Sequence, residues 1–374
     1  MTTSEQGEVS SQCWVLQLCH GYDGPFLDCA RQYAALFQGT PYKVCTVYLT
    51  GEPSVEVERG SVSDEVIFLD YSSAQVRGLK LGAICDVRRI VASRRFAMCI
   101  AHRFKPIYIA LLATRLPVVG VHHAFGVYGR WMRRWFINRF RARLLLLGVS
   151  DAVRDEMRSH LPGWEAERIA TLYNRIDVAT VQAEQVSCEA ARDFLGLPQD
   201  AWVVGNVGRL HPDKDQATLI RGFAQALPQL PAGSQLAIMG SGRLESSLQA
   251  LASELGISER VRFLGQVPQG RRYFKAFDVF ALTSDHEPFG MVLLEAMAAG
   301  VPLICSDCGG GREVVDGVGQ LFPLGDSDAL ARCLIAQGQQ GRVAAASCER
   351  QLARFSDAAA REAFFRLQRL PAHG

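Results

Sequence analysis

Residues 279–302 read VFALTSDHEPFGMVLLEAMAAGVP. The first six residues have the composition of a short buried strand, DHEPFG supplies the Pro and Gly of a turn, and MVLLEAMAAG is a helix pattern closed by Gly300 and Pro302. Strand, turn and helix in that order make half of a βα unit, and the pattern recurs along the chain. Short runs rich in Val, Ile, Leu and Cys fall at 13–19, 43–49, 66–70, 97–102, 117–123, 144–150 and 169–174, then at 202–210, 235–242, 261–265, 279–284 and 302–306. Amphipathic stretches such as DKDQATLIRGFAQAL (213–227) and GRLESSLQALASEL (242–255) separate them. Apolar runs of this length divided by helices are parallel strands covered on both faces. Two sets of βα units predict two Rossmann-like, doubly wound parallel sheets in an α/β protein. A chain of 374 residues is also too long for one ordinary core. Strand patterning lapses near 178–190, which predicts an N-terminal domain over 1–182, a second over 183–354, and a terminal segment over 355–374.

The composition, 48% apolar and 21% charged, is that of a soluble globular protein. Runs such as LLLLGV (144–149) are far too short to cross a bilayer. The polar start, MTTSEQGEVSSQ, predicts no secretory signal. Eleven cysteines without a repeating spacing fit reduced thiols in a cytoplasm better than a disulfide framework. The net charge of +2 conceals an asymmetry: between Asp86 and Asp151 there is no acid, while thirteen Lys or Arg fall there. Such a block predicts an anionic partner. Its densest part, GVYGRWMRRWFINRFRARLLLL (126–147), interleaves six arginines with aromatics. That is the pattern of a helix lying on an anionic membrane surface, with Arg130, Trp131, Arg133, Arg134, Trp135 and Arg139 as the contacting set. The alternative is a helix with its aromatics packed inward and its arginines solvated. No recognised nucleic-acid module accompanies the block, so nucleic acid is not expected as a partner.

In open parallel sheets ligands bind beyond the carboxyl ends of the strands. Polar residues and glycines cluster at those ends, among them His20-Gly21, His102, His122-His123, Gly208-Arg209, Gly240-Ser241-Gly242 and Ser284-Asp285. Glu287 falls on the turn of the opening segment and Glu295 on its helix. Two acids beside an apolar run are costly unless paired. As acceptor-only groups at different depths they suit a ligand with hydroxyls at both ends. Taken alone, the segment is equally well read as a helix cap and a solvated side chain. In GNVGRLHPDKDQ (205–216), Gly208 permits close backbone approach, and Arg209 and Lys214 suit a diphosphate. Surface cations paired with Asp213 and Asp215 are the alternative there. In SDCGGGREVV (306–315), three glycines before a helix-like segment leave amides open to an anion, or form a structural turn. Cys305 and Cys308 form a CxxC without a second pair, so no four-ligand zinc site is expected.

Together these residues resemble the retaining glycosyltransferases of family 4, which have the GT-B fold. EPFGMVLLE (287–295) matches the family's E-x7-E. It is flanked in order by GRL-x-x-x-K (208–214), GSGRL (240–244), FLG (263–265), AMAAGVP (296–302), GGGREVV (309–315) and VGQLFPLGD (318–326). The likeness is close over about 200–330, and looser matches at 146–156 and 173–177 extend it over most of the chain. It implies a nucleotide-sugar donor, UDP-linked or similar, with Glu287 on the sugar hydroxyls, Glu295 on the ribose, and Arg209 and Lys214 on the diphosphate. Gly21, Gly208, Gly240, Gly242, Phe289, Gly290, Gly309 and Gly310 complete the implied donor site. A histidine at the end of an N-terminal-domain strand lies near the reacting sugar in the family. His122 is the favoured match, with His102 and His123 as alternatives and, beside Arg103 and Lys105, as acceptor-side candidates. No cofactor and no metal are expected, although Asp213-Lys-Asp215 and Asp326-Ser-Asp328 formally match a metal-binding DxD. The segment 355–370 is expected to pack back on the N-terminal domain. The implied activity is sugar transfer to a glycan or lipid-linked glycan of the cell envelope, lipopolysaccharide core type, at the inner membrane face. A two-carboxylate glycoside hydrolase and a non-catalytic sugar-nucleotide-binding scaffold are the rival classes. HGYDGPFLD (20–28) departs from the family's Gly-Gly loop, and Arg175 replaces its usual small residue.

Overall fold

The computed structural model describes residues 12–340 and 345–368. The polar N-terminal stretch through residue 11 and the end of the terminal segment, 369–374, lie outside the described residues.

By their internal contacts the residues divide into two compact units. The first takes the described residues up to Val149 and adds Arg154–Leu172 and Arg361–Gln368. The second comprises Ser150–Val153 and Tyr173–Ala360. The division falls at Tyr173, earlier than the boundary expected at 182, and aromatic packing explains it. Tyr173 sits against Phe289 and Phe355, with ring centroids 6.2 and 5.3 Å away, and so joins the second unit before any helix begins. The terminal segment is shared. Phe355 packs on Phe289 in the second unit, while Phe364 and Phe365 pack on Phe37 in the first at 5.7 and 5.8 Å.

The first unit holds a seven-stranded parallel sheet: β1 (Cys13–Cys19), β2 (Tyr42–Tyr48), β3 (Glu65–Phe68), β4 (Phe96–His102), β5 (Val118–His122), β6 (Leu144–Gly148) and β7 (Ile169–Thr171). Their spatial order is β3-β2-β1-β4-β5-β6-β7. The second holds β8 (Val203–Val207), β9 (Gln235–Met239), β10 (Val261–Gly265), β11 (Val279–Leu282), β12 (Leu303–Ser306) and β13 (Gln320–Phe322), ordered β10-β9-β8-β11-β12-β13. Each order reverses once, between β1 and β4 and between β8 and β11, and those reversals are where open α/β sheets leave a crevice for ligands.

The sheets form as their composition dictates. Val15, Leu16, Leu18, Ile100 and Leu146 are fully buried in the first, and Val204, Leu236, Ile238, Val279 and Ile304 in the second. Helix starts follow local capping. Ser187 accepts the Ala190 amide before Cys188–Leu195, and Asp215, at φ +43°, accepts the Thr218 amide before Gln216–Ala226. The left-handed Asp215 is also why helix begins at Gln216 rather than at 213.

Candidate functional site

The second unit places the loop after β8 and the loop after β11 side by side at the reversal of strand order. Asp285 N donates to Asp213 O at 3.1 Å and Thr283 Oγ1 donates to Lys214 O at 2.9 Å, fastening the two loops together. The Lys214 ammonium thereby meets the Glu287 carboxylate, Nζ to Oε2 2.7 Å, and Ser284 Oγ donates to the same oxygen at 3.2 Å. Glu287 is 8% exposed. A carboxylate at that depth requires a charge partner, and Lys214 supplies it. Arg209 stands at the outer edge with an exposed side chain, 3.4 Å from Asp213.

Glycines hold this arrangement through contacts no side chain would permit. A Cβ on Gly240, at φ +136°, would lie 1.9 Å from Gly208 O, and one on Gly242 would lie 2.4 Å from Leu210 O. These two glycines bring the loop after β9 against the loop after β8, where Gly208 N donates to Met239 O at 2.9 Å. Gly309 would meet Glu287 O at 2.3 Å, and Gly310 would meet Pro288 O at 2.4 Å. Gly290, at φ +93°, starts the helix Met291–Ala298.

Several expected donor contacts have other partners. The Gly310 amide, expected to face phosphate, donates to Glu287 O at 2.8 Å and so positions the acid's own backbone. The Phe289 ring is buried against Tyr173 and Phe355, supporting the loop from beneath. Arg175 is fully buried and pairs with Asp357 at 2.6 Å, so it adds no free cation. Three of the four DxD aspartates have partners as well: Asp213 binds His211 at 2.6 Å, Asp215 caps a helix, and Asp326 accepts the Ala329 amide at 2.8 Å.

Glu295 is half-buried on the helix Met291–Ala298 and lines a cavity of about 510 Å³ with Val207, Val267, Gln269, Gly270, Arg271 and Arg272. The sequence reading missed this lining beyond Glu295. Arg271 is held bidentately by Glu184, at 2.7 and 3.0 Å, so it braces the wall.

The first unit has its own polar centre. Gly21 follows β1 beside Thr50, whose Oγ1 would lie 2.8 Å from a Cβ there. His122, buried at the end of β5, has Nε2 2.8 Å from the Tyr128 hydroxyl. His122 is the only hydrogen-bond partner of that hydroxyl among the described residues, so each group fixes the other's orientation. The ring's Nδ1 has no hydrogen-bond partner among the described residues. Burial, followed by the His123 and Arg133 charges, pushes the ring down to about 3 and keeps it neutral. His102 stacks on His123 at 5.4 Å with Nδ1 3.1 Å from its Nε2 and is buried against Tyr33. His123 is pushed down to about 4, first by burial and then by Arg103.

A cavity of about 230 Å³ is lined by His122, His123, Arg103 and Lys105, together with His20, Phe26, Phe104 and Arg133. His20 was visible in sequence as a polar residue at a strand end. Tyr128 left no signal. In the helix Trp131–Asn138, Arg133 donates to Val127 O at 3.1 Å and Arg134 to Tyr128 O at 2.8 Å, so both turn inward instead of presenting a basic face. Trp131, Met132 and Trp135 are exposed at 67%, 65% and 63%, with Arg130 and Arg139 also exposed. No helix among the described residues is long and apolar enough to cross a membrane. All eleven cysteines are free.

The family model described as "Glycosyltransferase Family 4" matches residues 28–180, and "Glycosyl transferases group 1" matches 188–337. The chain belongs to the family 4 glycosyltransferases, with the GT-B fold. Among family relatives, the lipopolysaccharide core biosynthesis glycosyltransferase LpsE of Rhizobium meliloti is 35% identical over 189 residues, 50% of this chain and 50% of that protein. A D-inositol 3-phosphate glycosyltransferase of Nocardia farcinica is 36% identical over 201 residues, 45% of each. The chain spans about half the length of the curated relatives it matches. The crystal structure of Anabaena HepE in complex with UDP and glucose has the same fold, at a TM-score of 0.77 and 23% identity over 96% of this chain and 100% of that one.

Proposed function

We propose that this family 4 glycosyltransferase acts with retention, moving a sugar from a nucleotide-sugar donor to a glycan or lipid-linked glycan of the cell envelope, of lipopolysaccharide core type. The observation that carries the donor reading is the Lys214–Glu287 pair at 2.7 Å. A ligand engaging both must offer an anionic oxygen and a hydroxyl close together, as a sugar 1-phosphate does. The cavity beside Glu295 lies in the same unit and has room for a nucleoside. HepE is described with UDP and glucose, which makes UDP-sugars the first donors to test.

On this reading Glu287 accepts the sugar hydroxyls and Glu295 those of the ribose. Lys214 and Arg209 stabilise charge developing on the departing diphosphate. Their two positive charges serve the phosphates without a metal. No enzyme nucleophile is invoked, and the leaving phosphate takes the acceptor proton on the face it departs from. A two-carboxylate hydrolase would leave Lys214 and Arg209 without a task. The test is turnover with UDP-sugars and membrane-extracted acceptor. Sugar transfer supports the reading. Glycan cleavage without nucleotide, or donor binding without turnover, would replace it with the hydrolase or the scaffold.

The exposed Trp131, Met132 and Trp135 with Arg130 and Arg139 support a peripheral position on the anionic inner membrane surface. Trp131→Glu with Trp135→Glu is expected to abolish sedimentation with phosphatidylglycerol vesicles, and unchanged sedimentation would remove the membrane claim.

A further inference from the structure

Arg103 follows β4 with φ +74° and ψ 166°, a conformation that is essentially reserved for glycine. An arginine held there needs a reason, because glycine would adopt the same backbone without strain. The turn itself is fixed by Arg103 N donating to Val121 O at 2.8 Å. The side chain is set as well, with its guanidinium 4.8 Å over the Phe26 ring. The strain therefore places a guanidinium, and not merely a turn, at the mouth of the cavity of the first unit.

The rest of the lining makes the same point. Arg103, Lys105 and Arg133 all contribute to it, with no carboxylate among the lining residues. None of the three has an ion-pair partner among the described residues. Arg133 stacks 4.7 Å over Phe104. Lys105 lies in the first turn of the helix Phe104–Ala113, the end at which a cation is least welcome because the helix dipole is positive there. Burial, and then Arg103 and Arg77, hold the Lys105 ammonium below its usual value, and burial and Arg130 do the same to Arg133. His122 lines the same cavity, and its buried Nδ1 has no hydrogen-bond partner among the described residues. Two acids stand near the cavity without lining it: Asp23, whose charge acts on His20, and Glu156, whose charge acts on Tyr128. Three cations without an ion-pair partner, a helix amino end and an imidazole with an unpartnered nitrogen meet at one small volume.

We propose that this cavity binds a phosphate monoester, and that the phosphate belongs to the acceptor. A dianion answers several cations at once, and a planar guanidinium matches its oxygens in pairs. As an acceptor site the assignment rests on the transferase reading above; as a phosphate site it stands without it. An acceptor anchored by its phosphate meets the enzyme in one orientation, which is how a site on a scaffold this common selects among sugars that differ little in their hydroxyls.

The test is calorimetric titration of the full chain with inorganic phosphate at low ionic strength, and separately with UDP. Wild type is expected to bind phosphate, and Lys105→Gln to weaken it at least tenfold. Arg103→Gly is expected to weaken it as much without lowering the melting temperature, because the glycine relieves the backbone. UDP affinity is expected to stay at the wild-type value in both variants. No phosphate binding, or equal binding by wild type and variants, overturns the proposal. Competition between phosphate and UDP, with UDP weakened tenfold in Arg103→Gly, would assign the cavity to the donor's diphosphate and overturn the acceptor assignment. Arg103-dependent phosphate binding in a protein that binds no UDP would instead overturn the donor role of Lys214 and Glu287 and leave the phosphate site standing.

Discussion

Replacing Lys214 with Met removes the only cation among the described residues in contact with a carboxylate that is 8% exposed, leaving it the Ser284 hydroxyl at 3.2 Å. Breaking a fully buried ion pair from one side costs about 3–5 kcal/mol, since the remaining charge is stranded. The Lys214 side chain is 19% exposed and that of Glu287 10%, so water screens part of the loss and the expected cost is roughly 2–3 kcal/mol. In a unit of this size each kcal/mol moves the melting temperature by about 2–4 °C, which predicts a fall of roughly 5–10 °C. Glu287→Gln strands the ammonium instead and is expected to cost less, because Lys214 is the more exposed partner. The double variant should recover at least half of the summed loss. Scanning calorimetry of the four proteins gives the coupling, and turnover with a UDP-sugar gives the second readout. Lys214→Met is expected to slow transfer by about 10²–10³-fold, the usual effect of losing one group that stabilises a developing anion. Losses that add within about 0.5 kcal/mol would show that the pair does not interact. A turnover near that of wild type would refute the diphosphate role.

Three further outcomes follow from the geometry. Tyr128→Phe leaves the His122 Nε2 without its hydrogen-bond partner in a buried site, and is expected to cost about 1–3 kcal/mol by urea unfolding and to slow transfer; an unchanged midpoint would refute the contribution of that hydrogen bond. Gly309→Ala drives a methyl toward Glu287 O at 2.3 Å, from a backbone at φ +53°, so turnover is expected to fall with the displaced acid; a fully active variant would refute the close packing. His122 is held at about 3 and His20 and His123 at about 4, whereas the unfolded chain protonates them near 6.5. The unfolded state therefore takes up more protons as pH falls, so stability is full above about 6.5 and declines toward 3–4, by up to ~1.4 kcal/mol per pH unit for the buried His122. A urea midpoint flat between pH 7 and pH 5 would contradict this.

Most of the fold was legible because each strand is a compact apolar run bounded by a turn, and strands of five to seven residues carry that signal alone. β13, at three residues, was too short to stand out by composition and was absent from the expected strands. β7 ends at Thr171 rather than at 174 because Tyr173 leaves the sheet to pack on Phe289. In the site, Glu287 and Lys214 were legible as residue types in a family pattern, but their contact was not. They are 73 residues apart, and only the reversal of strand order that sets β11 beside β8 brings them together. The Arg175–Asp357 pair spans 182 residues, and a lone arginine in sequence gives no hint that it will be buried. Arg133 and Arg134 were misjudged for a related reason: helical periodicity says which residues share a face, but not which carbonyls a long side chain will reach back to.

The ion pair also bears on which ligand the site prefers. Lys214 and Glu287 neutralise each other, and anything that draws the lysine away must give the glutamate something in return. On the donor reading, a nucleotide carrying its sugar does so through the sugar hydroxyls. The nucleotide left after transfer takes the lysine and offers the acid nothing. On that reading the same two side chains would favour the intact substrate over the spent product, and re-formation of the pair would expel the product.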